Sequence, residues 1–229
     1  MSTVVPLSRI SGWFMSDMGC YRCIVKLRCG VFRIHREMSG TTGIGERVVS
    51  PGEELVAIGA AVPQLMVVKV GSLLLRHEAT SQGGRAVAVV GQGVMLGVGA
   101  LLDQVAHAEV KVCTPSRICT LNVTDVRSEL LRRPAVGLEV ARAAMRLSEW
   151  LLQWAAVARS PEATQRVGAV MRLLTVAQGG RVLDLPDRND MAELCCCAPE
   201  TVSRSLRELG REGLVRKLQR NRIEWLGHH

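Results

Sequence analysis

The order of elements in the last third of the chain most constrains its fold. Residues 187–190 read as the cap of a short helix running to Leu194, and residues 195–198 as a turn. Pro199 opens a second helix that ends near Gly213, since proline suits a first helical turn and glycine a position just past the end. Residues 214–218 and 223–226 then flank Gln219, Arg220, Asn221 and Arg222, giving two strands around a basic tip. Helix, turn, helix and two-stranded wing together make a winged helix-turn-helix. Ahead of it, Val167, Val170, Met171, Leu173 and Leu174 supply the apolar stripe of another helix. Ser160, Pro161 and Glu162 read as its N-cap, first residue and dipole-facing acid, and Gln178, Gly179 and Gly180 as its stop.

On the second helix, Glu200, Ser203 and Arg204 stand at i, i+3 and i+4 and share one face. An outward Arg bonds bidentately to a guanine edge, Glu accepts from cytosine, and Ser bonds several bases. With Thr201 and Arg207 these residues form the candidate DNA-contacting set. The same spacing on a merely solvated helix face is the competing reading. Charge favours DNA: residues 200–222 hold seven basic side chains against three acidic ones, while residues 48–127 carry six of each. Cations that neutralise phosphates are needed on and beyond a reading helix.

Residues 48–127 alternate short apolar runs with turns at Pro51-Gly52, Gly71, Gln82-Gly83-Gly84 and Gly91-Gln92-Gly93. That rhythm predicts an antiparallel roll of jelly-roll type. The cluster Gly91, Gly93, Gly97 and Gly99 lacks the Lys-Ser/Thr ending of a phosphate loop, so the glycines read as corners. From about Ser128 the pattern turns helical, with Pro134 in a first turn. Gly137, Ala141, Ala144, Ser148, Leu151, Ala155 and Ala158 recur every three or four residues as a seam of mostly small side chains. Leu138, Met145 and Leu152 make an adjacent face apolar too. A helix apolar on more than one side buries more than its own domain covers, which predicts a parallel homodimer seam; an ordinary core helix is the alternative.

The fold class expected is therefore α+β: a jelly-roll-like β-roll domain over 48–127, a long dimerisation helix over 128–160 and a winged helix-turn-helix over 161–229. A cysteine-bearing segment, 1–47, precedes them. No stretch is long and apolar enough to span a bilayer, and residues 1–19 lack the apolar core and cleavage site of a secretory signal. The expectation is a cytoplasmic protein without a membrane partner, whose eight cysteines are thiols or metal ligands rather than disulfides.

Over nearly its whole length the chain resembles the CRP/FNR family of transcription regulators. The resemblance rests on the run from Arg188 to Arg204, continued by Leu206, Leu209 and Glu212-Gly213-Leu214, and on Pro51-Gly52-Glu53, Gly59, Val68, Gly71, Gly93 and Gly97 at the corners of the roll. Cys196 departs from it at a turn position that many members fill with glycine. The Glu200, Ser203, Arg204 triplet resembles the FNR branch, which implies TTGAT half-sites in inverted repeat, with Arg204 on the G, Glu200 on its complementary C and Ser203 on an adjacent base. Double-stranded DNA and RNA polymerase are the implied partners, and no enzymatic activity is implied.

Cys20, Cys23 and Cys29 form C-x2-C-x5-C among Arg22, Lys26 and Arg28. Two thiolates on one tight turn, a third nearby and one distant partner make a four-thiolate set suited to zinc or an iron–sulfur cluster. Three unmodified thiols in an N-terminal arm are the alternative. The FNR branch carries this spacing with a fourth cysteine in the roll, which implies a [4Fe–4S] cluster on Cys20, Cys23, Cys29 and Cys119 and an oxygen-responsive activator of anaerobic or microaerobic genes. Cys113 is the other candidate fourth ligand, and zinc the other candidate occupant. Cys195 and Cys197 read as small core residues of the helix-turn-helix. The region from Gly97 to Ala108 lacks the Gly-Glu and Arg-Ser/Thr-Ala pattern that holds a cyclic nucleotide, and His35, His77 and His107 are isolated, which disfavours haem.

Overall fold

The structure, a computed structural model, describes residues 13–15, 20–23, 25–38, 43–77 and 84–227. The turn expected at Gln82-Gly83 lies outside the described residues. Two antiparallel sheets form the roll. The first has the order β1-β2-β9-β4-β7, built from β1 (Trp13–Met15), β2 (Ile44–Val49), β4 (Gln64–Val70), β7 (Met95–Leu96) and β9 (Ser116–Asn122). The second, β3-β8-β5-β6, uses β3 (Glu54–Val56), β5 (Leu73–His77), β6 (Arg85–Val90) and β8 (Glu109–Val112). Glycines at the corners, Gly52, Gly71, Gly93 and Gly97 among them, hold positive φ, a conformation open to glycine at little cost.

Strand alternation decides which side chains meet. Met66, Val68 and Ile118 point into the sandwich against Leu73, Leu75 and Val110. Their neighbours Leu65, Val67, Cys119 and Leu121 point the other way, into a second core beneath α1 (Gly30–Glu37). The first sheet is thus buried on both faces at its centre, which explains the unbroken apolar run of residues 65–68 in β4 and the adjacent Ile118 and Cys119 in β9. Cys119 sits on the outer of the two faces, not in the sandwich.

After α2 (Val123–Leu130), the long helix α3 runs Pro134–Val157. Val136, Glu139, Ala143, Trp150, Trp154 and Val157 turn inward. Trp150 meets Trp154 edge to face at 6.3 Å, and its Nε1 donates to the Val89 carbonyl at 2.8 Å. The small-residue seam needs correction. Ala144 and Leu151 are half-buried against the chain itself, so they do not belong to an open seam. The outward stripe is Leu138, Ala141, Met145, Ser148, Leu152 and Ala155, whose 3-4 spacing is that of a coiled-coil a/d seam. Leu138, Met145 and Leu152 are 53%, 60% and 69% exposed, so a broad aliphatic stripe stands open on this chain.

The C-terminal unit comprises α4 (Ala163–Gln178), β10 (Val182–Asp184), α5 (Arg188–Leu194), α6 (Pro199–Arg211), β11 (Val215–Gln219) and β12 (Arg222–Trp225), with β12 between β10 and β11. Its helix α4 starts later than expected: Glu162 is the N-cap residue, and Ser160 and Pro161 lie in the preceding turn, where their carbonyls accept from Arg166. Gly179 ends α4 in the left-handed conformation, as the Gly-Gly stop predicts.

This unit docks on the roll. Val170, Met171, Leu174 and Ala177 of α4 and Met191 of α5 share one apolar core with Ala88, Val90, Trp150 and Trp154. The Gln92 amide donates to the Ala177 carbonyl at 3.1 Å. A Cβ on Gly91 would overlap that same carbonyl and its carbon. Gly91→Ala should therefore force β6 and α4 apart and cost about 1–3 kcal/mol of stability, seen as a lowered thermal midpoint. An unchanged midpoint would contradict the close approach.

Candidate functional site

Two sites emerge, one on the C-terminal unit and one beneath the N-terminal segment. In the first, Asp187 caps α5, its Oδ1 accepting from the amides of Asn189 and Asp190 at 2.9 Å each. The turn to α6 passes through Cys196 at φ 49°, a left-handed conformation that strains a side chain with a Cβ. The departure from glycine noted in the sequence is thus a real one. Cys195 is fully buried and burial raises its thiol pKa, while Cys197 is half-buried against the same core.

Val202, Ser205 and Leu209 seat α6 on α4 and α5. The opposite face carries the predicted residues. Glu200, Arg204 and Arg207 are exposed, and Thr201 and Ser203 are half-buried beside them. Arg204, Arg207, Glu208 and Arg211 line one shallow groove, a concentration of cations that can neutralise adjacent phosphates. The Ser203 hydroxyl donates to the Pro199 carbonyl at 3.2 Å. Arg188, which the sequence marks only as the start of the run to Arg204 and not as a contact residue, reaches from α5 to Glu200 with Nη2 2.8 Å from Oε1. Its signal was its place at the first residue of a capped helix, beside the turn that leads to the reading face. The wing adds Lys217 and Arg220, both exposed.

In the second site, a chain of backbone turns wraps the segment below α1. The Cys23 amide donates to the Cys20 carbonyl at 3.1 Å, Lys26 to Cys23 at 3.2 Å, and Cys29 to Lys26 at 3.3 Å. Cys29 is the N-cap of α1, its Sγ accepting from the Phe32 amide at 3.4 Å. These turns carry three thiols toward the outer face of β9, where Cys119 stands opposite Glu46 of β2 and Val67 of β4. Cys20, Cys23, Cys29 and Cys119 line a single cavity with Val25, Val31, Phe32 and Lys69. Cys113 does not join them. It lies at the far end of the roll, in a groove with Pro51, Asp184 and Arg220.

The cavity is about 10 Å³, room for about one water. Among the described residues no group of three or more His, Cys, Asp or Glu is arranged to hold a single metal ion. The donor chemistry fits a thiolate-bound metal group, and the loop from Cys20 to Cys29 is the wall that would have to yield to admit one. Electrostatics follow from burial. Desolvation pushes the Cys119 thiol up to about 12 and raises Cys29 as well. Burial pulls Lys69 down, but its bond and charge pairing with Glu46, at 3.1 Å, outweigh that and raise it overall. The metal-free Cys29 and Cys119 thiols are therefore protonated at neutral pH, and a metal must displace their protons to bind. In metal-free protein, alkylation at pH 7.5 should label exposed Cys196 well before Cys29 and Cys119; equal rates by mass spectrometry would contradict the burial.

Comparison with known proteins places both halves. A family profile described as a Crp-like helix-turn-helix domain matches residues 145–226, and one described as a cyclic nucleotide-binding domain matches residues 46–133. The probable transcriptional regulator Flp of Lacticaseibacillus casei is 28% identical over 175 residues, covering 75% of this chain and 79% of that protein. FixK2 of Bradyrhizobium japonicum superposes with a TM-score of 0.67 at 15% identity, over 80% of this chain and 93% of its own. A CRP-family transcriptional regulator of Thermus thermophilus gives 0.65 at 18% identity, over 79% and 92%. These structural likenesses establish the fold: roll, long helix and helix-turn-helix in the predicted order. Flp is described as a probable transcriptional regulator and the Thermus thermophilus protein as a transcriptional regulator of the CRP family. Among the described residues no helix is long and apolar enough to cross a membrane.

Proposed function

We propose that the chain is a DNA-binding transcriptional regulator of the CRP/FNR type that responds to oxygen, a reading supported by its matches to a Crp-like helix-turn-helix domain and a cyclic nucleotide-binding domain and by its likeness to a probable transcriptional regulator. It acts as a homodimer joined through α3, reads TTGAT-type inverted repeats with α6, and activates anaerobic or microaerobic genes through RNA polymerase. The observation that carries the sensing part is the single cavity shared by Cys20, Cys23, Cys29 and Cys119.

These four cysteines would hold a [4Fe–4S] cluster. Such a cluster, when bound, supplies an oxygen-reactive group with a visible absorption band. The chain supplies the rest. Three ligands ride on a loop, whereas Cys119 is fixed on the central strand of the sheet, so occupancy of the cavity sets the position of the loop and of α1 above it. Helix α1 leans on α3: Arg33 on α1 lies 3.9 Å from Glu139 of α3, and the Arg146 guanidinium donates to the Arg28 carbonyl at 3.3 Å. Movement of the cysteine loop therefore reaches the helix that carries the dimer stripe. Zinc would accept the same four thiolates. A cyclic nucleotide is disfavoured because the short 3₁₀ helix Val98–Leu102 offers no acid. The Asp103 that follows is exposed and paired with Arg127 at 2.8 Å.

At the output end, Arg204 bonds the G of the half-site, Glu200 accepts from the complementary C, and Ser203 takes an adjacent base. Thr201 and Arg207 flank them, with Arg207 and Arg211 on phosphate. The α3 stripe contains no acidic side chain, so the dimer persists without its cofactor and oxygen changes orientation more than association.

Anaerobic purification tests the sensing. A brown protein that bleaches in air, with Cys119→Ser colourless and Cys113→Ser still brown, is the expected result. A colourless, zinc-loaded protein would defeat it. Binding-site selection tests the reading: TTGAT half-sites are expected, with discrimination at the G·C pair reduced by about 1–3 kcal/mol in Glu200→Ala. Recovery of half-sites without TTGA would overturn that assignment.

A further inference from the structure

The contact between roll and reader contains a charged cluster that neither site uses. Arg76, on β5 of the roll, is one-fifth exposed at its side chain and reaches the first helix of the helix-turn-helix. Its guanidinium pairs with Asp190, lies 3.2 Å from Glu193 and 3.8 Å from Glu109, and bonds the Gly84 carbonyl. Glu193 is held a second time, accepting from the Ala86 amide at 2.7 Å. Asp190 and Glu193 are three residues apart on α5 and so share the face that meets the roll. Burial is the first cause that raises the Asp190 carboxyl to about 6, with the nearby Asp187 charge adding and Arg76 opposing. This carboxylate is costly to leave without its cation.

In this docked arrangement the reading face (Glu200, Arg204) and the α3 stripe (Leu138, Met145, Leu152) are exposed together. The roll covers neither. A contact that fixes α5 to the roll therefore fixes α6 relative to the dimer seam.

We propose that Arg76 is a positioning residue for DNA reading: it clamps the helix-turn-helix to the roll, so that the two reading helices of a dimer engage half-sites at one spacing only. The proposal rests on the DNA reading and the dimer proposed above. Dimeric readers of this kind bind half-sites about one helical turn, 34–36 Å, apart. Each inserted base pair both shifts and rotates one half-site, so rigidly held readers reject it and loosely tethered ones tolerate it.

The test measures full-length protein on a series of inverted repeats whose spacer is changed by one and two base pairs, built on whatever half-site selection returns for the wild type. Wild type should prefer one spacer by about tenfold or more, and Arg76→Gln should flatten that preference to about threefold or less while still preferring the selected half-site over a scrambled one. Arg76→Lys should recover part of the spacing preference. A purely structural role would lower the active fraction and scale every DNA alike. If Arg76→Gln does not fold, Glu193→Gln replaces it, with a partial flattening expected. Retained spacing preference in the folded variants overturns the clamp, as does tighter binding at the preferred spacing. A wild type that selects a half-site but shows no spacer preference defeats the clamp alone. One that selects no inverted repeat defeats the DNA reading as well.

Discussion

The structure depends on one constraint, the burial of β9 on both of its faces. A strand covered on one side contributes alternate residues to a core and leaves the rest in water. Here Ile118 closes the sandwich while Cys119 and Leu121 close a second core on the outer face. That second core exists only because α1 and the cysteine loop lie over the sheet. The loop, in turn, brings its three thiols to Cys119 on the central strand of the sheet. Cysteine cavity and sheet core are therefore the same piece of packing seen from two sides.

Double-sided burial also explains what could and could not be read from the residues. The roll was legible because its corners are glycines at positive φ, and the winged helix was legible because caps, prolines and glycines mark each boundary. Alternation groups Cys119 with Leu121, but it does not say whether that face looks inward or outward, since Ile118 makes the other face apolar at the same point. The two stripes of α3 are hard to tell apart for a related reason. Helix α3 is apolar most of the way round, so small residues and large aliphatics offered two stripes of equal period. Only the burial of Ala144 and Leu151 against the chain itself separates them. Ser160 and Pro161 carried a convincing start signal, yet their carbonyls were claimed by Arg166, a tertiary contact that local pattern cannot show. Arg76 left no signal at all, being one charged residue in a strand until its partner 114 positions away is known.

Between the cavity and the reading face the chain offers a continuous mechanical path. Helix α1 leans on the first half of α3. The second half of α3 enters the core that joins the roll to α4, where Trp150 is bonded to Val89. At that junction Gly91 admits the end of α4 at backbone distance. Packed elements of this kind shift between discrete arrangements more readily than they deform. A change in the cysteine loop can thus be felt as a change in where α6 points, without either site touching the other.

The central claim is that the four-cysteine cavity governs DNA reading. It is tested most directly by the affinity of one protein preparation for a TTGAT inverted repeat, measured anaerobically after cluster reconstitution and again after air. The account predicts a loss of about tenfold or more in the wild type and no oxygen response in Cys119→Ser. Equal affinity before and after air, in a protein shown to have held and lost its cluster, would contradict it.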